Sequence, residues 1–172
     1  TLDINTDVKN EKEYLSETSQ EDVAMILHTS GTTSRPKMVP LSQKNLLASA
    51  RNISKTLNLS EHDKCLNIMP MFHIHGLIAA ILAPIYKSVT IITPSGFDAL
   101  KFFRWLNDFE PTWYTAVPTM HQAILARAPR NIDIIKNNQL KFIRSSSASL
   151  PATVMEKLEK TFNTCVIESY GM

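Results

Sequence analysis

Short apolar runs of β type alternate with amphipathic, helix-type segments over most of this chain, and that alternation is the strongest constraint on its fold. The runs are Val23 to Thr29, Cys65 to Met69, Val89 to Thr93, Thr112 to Val117, Leu140 to Ser145 and Cys165 to Ser169. Between them lie Ser42 to Leu57, Gly76 to Tyr86, Asp98 to Phe109, Thr119 to Ala128 and Pro151 to Phe162, each long enough for a helix. Such alternation predicts an α/β fold: a mostly parallel sheet with helices on both faces. Ser42 and Asp98 are good N-caps, Pro151 suits a first helical turn, and Leu46, Leu47, Ala50, Ile53 and Leu57 form one helical stripe. In an open parallel sheet ligands gather at the carboxyl ends of the strands. A site is therefore expected on the loops after Thr29, Met69, Val117, Ser145 and Ser169.

The 172 residues, 44% of them hydrophobic, suffice to bury the core of one domain or part of one. A net charge of +2, with no run of like charges, gives no electrostatic footprint for nucleic acid. Cys65 and Cys165 lie far apart in apolar stretches, which points to buried thiols in a reducing compartment and not to a metal or redox pair. The longest apolar stretch, Gly76 to Ile85, falls well short of the roughly 20 residues of a membrane-spanning helix. Residues 1–21 are polar and acidic without apolar periodicity and read as a linker or surface strap. The chain opens on Thr1 with neither an initiator Met nor a signal-peptide pattern, so sequence upstream is expected.

The segment His28-Thr29-Ser30-Gly31-Thr32-Thr33-Ser34-Arg35-Pro36-Lys37 places five small hydroxyl residues, one glycine and two cations behind an apolar strand. Small residues let backbone N–H groups approach phosphate oxygens, hydroxyls add donors, and Lys37 or Arg35 offsets polyphosphate charge. An ordinary Ser/Thr-rich turn with solvated cations is the plainer reading of the same composition. A Walker-type phosphate loop does not fit, because Pro36 precedes Lys37 and Met38 follows it where Gly and Ser or Thr are required.

The segment resembles the signature loop of the adenylate-forming superfamily, Thr-Ser-Gly-Thr-Thr-Gly-x-Pro-Lys-Gly-Val, from Thr29 to Val39, with departures at Ser34 and Met38. Four further stretches resemble that family in the same order. They are Pro70-Met-Phe-His73-Ile-His75-Gly76, Tyr114-Thr-Ala-Val-Pro118-Thr119, Ile143-Arg-Ser-Ser-Ser147-Ala-Ser-Leu150 and Glu168-Ser-Tyr170-Gly171-Met172. The third stands where the family has Ser-Gly-Gly-Ala-Pro-Leu, so Ser146, Ser147 and Ser149 replace Gly, Gly and Pro. From residues alone, Ser149 is also a helix N-cap, and His73 and His75 read equally as one core and one surface histidine. Two histidines at i, i+2 without a nearby Cys or carboxylate make a poor zinc site.

The resemblance implies an ATP-dependent carboxylate:CoA ligase, with residues 22–172 forming part of its large N-terminal, AMP-binding domain, truncated at both ends. It implies that ATP is held by Thr29, Ser30, Gly31, Thr32, Thr33, Lys37, Ser147, Ala148, Ser149, Glu168, Ser169, Tyr170 and Gly171, with Thr29 also meeting Mg²⁺ and His73 lining and gating the acyl pocket. Coenzyme A and a small carboxylic acid are the other implied substrates. The family's later catalytic lysine, ribose-binding aspartate and Mg²⁺-binding glutamate are absent, so this stretch alone is expected to be inactive. The wording of the motifs, Ser34 included, is similar to oxalate:CoA ligases. A second carboxylate needs donors, and Ser147 with His73 or His75 offers them. Medium- or long-chain fatty acyl ligases share much of the pattern, and a non-catalytic nucleotide-binding module is the reading from another class. Cytoplasmic or, in a eukaryote, peroxisomal location is expected.

Overall fold

The computed structural model describes residues 18–29 and 37–170, and the chain divides into two compact units, Thr1–Leu47 and Ala48–Met172. In the first unit, β1 (Val23–Thr29) pairs antiparallel with β2 (Lys37–Ser42), with an irregularity between Val23 and Met25. The expectation that β1 joins a parallel sheet is thus corrected: it belongs to a hairpin. The strand β2 was not foreseen, because Pro40 argues against a strand; Pro is tolerated in a two-stranded ribbon, where one side of each strand has no ladder to lose. Helix α1 (Gln43–Thr56) follows directly, and Ser42 caps it as expected. The Asn45 N–H donates to Ser42 Oγ at 3.3 Å while the Ser42 N–H donates to Asn45 Oδ1 at 3.0 Å, a reciprocal capping box.

The second unit is built on a five-stranded sheet with order β4-β3-β5-β6-β7, every described pairing parallel. Its strands are β3 (Lys64–Asn67), β4 (Thr90–Ile92), β5 (Trp113–Ala116), β6 (Phe142–Ser146) and β7 (Val166–Ser169). Between β3 and β4 a π-helix (His75–Leu82) continues as α2 (Ala83–Tyr86). The other helices are α3 (Phe102–Phe109), α4 (Pro118–Leu125), α5 (Ile132–Asn137) and α6 (Ala152–Phe162). Because side chains alternate along a strand, the sheet has two cores. Leu66, Tyr114, Ile143 and Val166 pack with Phe102, Leu106, Ile124, Ile135 and Leu158 on one face. Cys65, Trp113 and Phe142 pack with Leu57 and Ala80 on the other. Helices therefore cover both faces, as expected.

Several local expectations are corrected. Leu47 is exposed, and the fully buried Ser54 completes the inner side of α1 by donating to the carbonyls of Ala50 and Ala83. Cys65 is buried but Cys165 is exposed. Asp98 caps a turn that precedes α3, accepting the Leu100 N–H at 2.8 Å, and α3 proper starts at Phe102. Pro151 occupies the N-cap position of α6, one residue earlier than anticipated, and Ser149 does not cap that helix. No helix among the described residues is long and apolar enough to cross a membrane.

Candidate functional site

The sheet order places a topological switch beside β3: the chain leaves β3 for β4 on one side and returns as β5 on the other. In open α/β sheets such a switch opens a crevice at the carboxyl ends of the strands. Asn67, Thr115 and Arg144 lie side by side in register there, one residue pair beyond the apolar row Cys65, Trp113 and Phe142 on the same face. All three are buried.

His75 enters this polar row from the start of the π-helix. Such wide turns often mark functional positions, since the extra residue re-aims side chains. Gly76 is required beside it because a Cβ there would run into the Pro70 carbonyl and crowd Met69. His75 is 5% exposed, its Nε2 stands 2.6 Å from Thr115 Oγ1, and its Nδ1 stands 3.0 Å from Ser147 Oγ. Burial, then the nearby Arg144 cation and the histidines His121 and His73, pulls its pKa down to about 3, so its ring is neutral near pH 7. Arg144 Nη1 donates to Thr115 Oγ1 at 3.3 Å. Burial lowers the Arg144 guanidinium to about 10, which leaves it charged near pH 7. Among the described residues it forms no ion pair.

The loop after β6 carries the next part. Ser147 has φ of 74°, the left-handed region, which costs a residue with a Cβ about 1 kcal/mol or more. Its bond to His75 shows what the side chain obtains there. The Glu168 carboxylate accepts the Leu150 N–H at 2.7 Å and pins the far end of the loop. Ser146 Oγ donates to the Ser169 carbonyl and Ser169 Oγ to the Ser145 carbonyl, at 3.1 and 3.4 Å, tying the ends of β6 and β7 together. Ser147, Ala148, Ser149, Glu168, Ser169 and Tyr170 line one cavity of about 460 Å³, within the usual range for a small-molecule site. The Tyr170 side chain is 88% exposed and open to stacking.

These six are among the residues singled out from sequence. Thr29 and Lys37 face one another as the last register pair of the hairpin, at the two ends of the signature loop. Ser30, Gly31, Thr32, Thr33 and Gly171 lie outside the described residues. His73 is exposed, its ring 5.2 Å from that of Phe72 and apart from the lining of the cavity; it is His75 that meets Ser147. Arg144, Thr115 and Asn67 were missed. The available signal was position: each stands two residues after an apolar residue of its strand, so its side chain points to the same buried face.

Residues 2–172 match the family model described as AMP-binding enzyme. An oxalate–CoA ligase of Arabidopsis thaliana is 43% identical over 154 residues, covering 88% of this chain and 30% of that protein. A probable CoA ligase CCL9 of Humulus lupulus is 46% identical over 153 residues, with 88% and 29% covered. The solved malonyl-CoA ligase ternary product complex, with methylmalonyl-CoA and AMP bound, superposes with a TM-score of 0.82 at 28% identity, covering 91% of this chain and 34% of that one. The chain thus spans about 30% of the length of the curated relatives it matches, and over that span it belongs to the AMP-binding enzyme family.

Proposed function

We propose that the complete protein carrying this chain is an ATP-dependent carboxylate:CoA ligase acting on oxalate or another small, oxygen-rich acid. In the first half-reaction a carboxylate oxygen bonds to the α-phosphorus of ATP and the bond to pyrophosphate breaks. In the second, the CoA thiol, losing its proton, bonds to the acyl carbon and AMP leaves with the carboxylate oxygen. The chain's own part is to bind and position. Thr29, Ser30, Gly31, Thr32, Thr33 and Lys37 hold the phosphates. The loop from Ser147 to Ser149, with Glu168, Ser169, Tyr170 and Gly171, holds the adenosine side. Mg²⁺ takes hard oxygen ligands, chiefly phosphate with few protein groups; the Thr29 hydroxyl would be the protein ligand proposed for it, and the ion would offset phosphate charge.

The observation that carries the choice of acid is the Ser147–His75 pair beside the cavity. A second carboxylate leaving water needs such donors, whereas an alkyl chain gains nothing from them. The similarity to an oxalate–CoA ligase supports the same choice. Carboxylate-dependent ATP–pyrophosphate exchange by the complete protein tests it, with oxalate, acetate, medium-chain and long-chain acids side by side. Exchange with oxalate well above the others is expected. Exchange with fatty acids alone would reject the acid, and exchange with none would favour a non-catalytic nucleotide-binding module.

A further inference from the structure

The buried polar row has a direction, and the cation at its inner end sets it. A guanidinium can only donate, so Thr115 Oγ1 accepts from Arg144. The Thr115 side chain is fully buried, and its hydroxyl has one other described partner, His75 Nε2 at 2.6 Å. Turning that O–H elsewhere would leave a buried donor unpaired, at a cost of about 1–3 kcal/mol. Thr115 therefore donates to Nε2. A neutral imidazole carries one N–H, which then sits on Nδ1 and donates to Ser147 Oγ at 3.0 Å. Ser147 becomes an acceptor on its inner side, and its own proton turns toward the cavity that it lines.

We propose that Arg144, Thr115 and His75 form a one-way hydrogen-bond chain that holds the Ser147 hydroxyl as a donor facing the cavity, for an acceptor oxygen on the bound acid. The oppositely polarised chain, with the proton on Nε2, would present Ser147 lone pairs and favour a donor on the ligand. Arg144, Thr115 and His75 are positioning residues, acting through Ser147 without touching the acid. The left-handed strain at residue 147 fits this role: glycine would relieve it, and only a side chain supplies the hydroxyl. The choice of an oxygen-bearing acid rests on the function proposed above; the polarity of the chain does not.

Nitrogen-15 spectroscopy of the histidine-labelled complete protein, with His75 assigned by its loss in His75→Gln, reads the polarity directly. The Nδ1–H tautomer between about pH 5 and 8 is expected, and mixed tautomers in Thr115→Val, with the single form restored in Thr115→Ser. An Nε2–H tautomer in the unmutated protein overturns the proposal. In the exchange assay, Thr115→Val should raise the KM for oxalate by about tenfold, the cost of about one lost hydrogen bond, while the KM for ATP holds and Thr115→Ser restores binding. Equal loss with oxalate and acetate also overturns it. If oxalate fails as a substrate while the Nδ1–H tautomer is found, the acid assignment falls and the polarity stands. If oxalate supports exchange while the Nε2–H tautomer is found, the polarity falls and the acid assignment stands.

Discussion

The two ends of the same sheet are built on opposite plans. At the amino edge, Asp63 ties three segments together: it accepts the Ser60 N–H at 2.8 Å, Thr112 Oγ1 at 3.1 Å and the Lys141 ammonium at 2.9 Å. Lys141 also donates to the Asn58 carbonyl, and the Lys64 N–H donates to Thr112 Oγ1. A cavity of about 510 Å³ opens there, but its polar side chains Asp63, Thr112 and Lys141 already bond one another. At the carboxyl edge, Asn67 Nδ2 and Ser145 Oγ are buried with no described protein partner, Arg144 pairs with no carboxylate among the described residues, and Ser147 is strained. A closed network serves stability; open valences and strain serve a ligand. Cavity volume is thus a poor guide, and the state of the polar groups that line a cavity is a better one.

The comparison breaks most readily at Asp63. Asp63→Ala leaves Lys141 and the donors of Ser60 and Thr112 without their acceptor and should lower stability by about 3 kcal/mol in chemical denaturation, with exchange kinetics unchanged below the transition. Impaired exchange at unchanged stability would erase the division of labour. Acid should separate the edges next. Burial holds His75 and His121 down to about 3 and about 4, against 6.5 in the unfolded chain, so the unfolded state binds more protons between those limits. Stability should fall from about pH 6.5 downward, and His75→Gln should flatten that limb. Burial alone would raise the Asp63 carboxyl, but hydrogen bonds from Lys141 and Ser60 outweigh it and hold it below 3.8. Its contribution is present above that value and is lost only as pH falls further, so Asp63→Asn should lower stability by a constant amount above that value and converge with the unmutated protein on the acidic limb. Apparent melting temperatures across pH measure both. The smallest effect is on the fold at Ser147: in Ser147→Gly, relief of the left-handed strain and loss of one hydrogen bond should nearly cancel, within about 1 kcal/mol, while exchange with oxalate falls more than with acetate. Parallel losses with both acids would detach that edge from acid choice.

The five strands of the parallel sheet were legible because each is a short apolar run bounded by turn residues, and α1 because its cap and stripe coincide. The hairpin was not, since Pro40 masks β2 and a lone apolar run does not say whether its neighbour is parallel. The cavity residues after β6 and at the end of β7 were legible through motif order. Which histidine turns inward was not, because that depends on where the π-helical turn begins, and no local pattern of Ile74 or Gly76 announces a π-turn. Arg144 was hidden for another reason: a cation inside an apolar strand looks like a misfit until its register neighbours Thr115 and Asn67 are seen to be polar as well.

The left-handed backbone at Ser147 also sets a mutational asymmetry. Because glycine suits that backbone without any movement of the loop, a single substitution removes the hydroxyl and leaves the fold intact. The reverse step, glycine to serine, brings strain that is offset only if a histidine, a threonine and an arginine already wait behind it in the right register. Taste for an oxygen-bearing acid, on this reading, is shed in one step and regained only while its buried supports persist, so divergence at this position runs more easily away from serine than toward it.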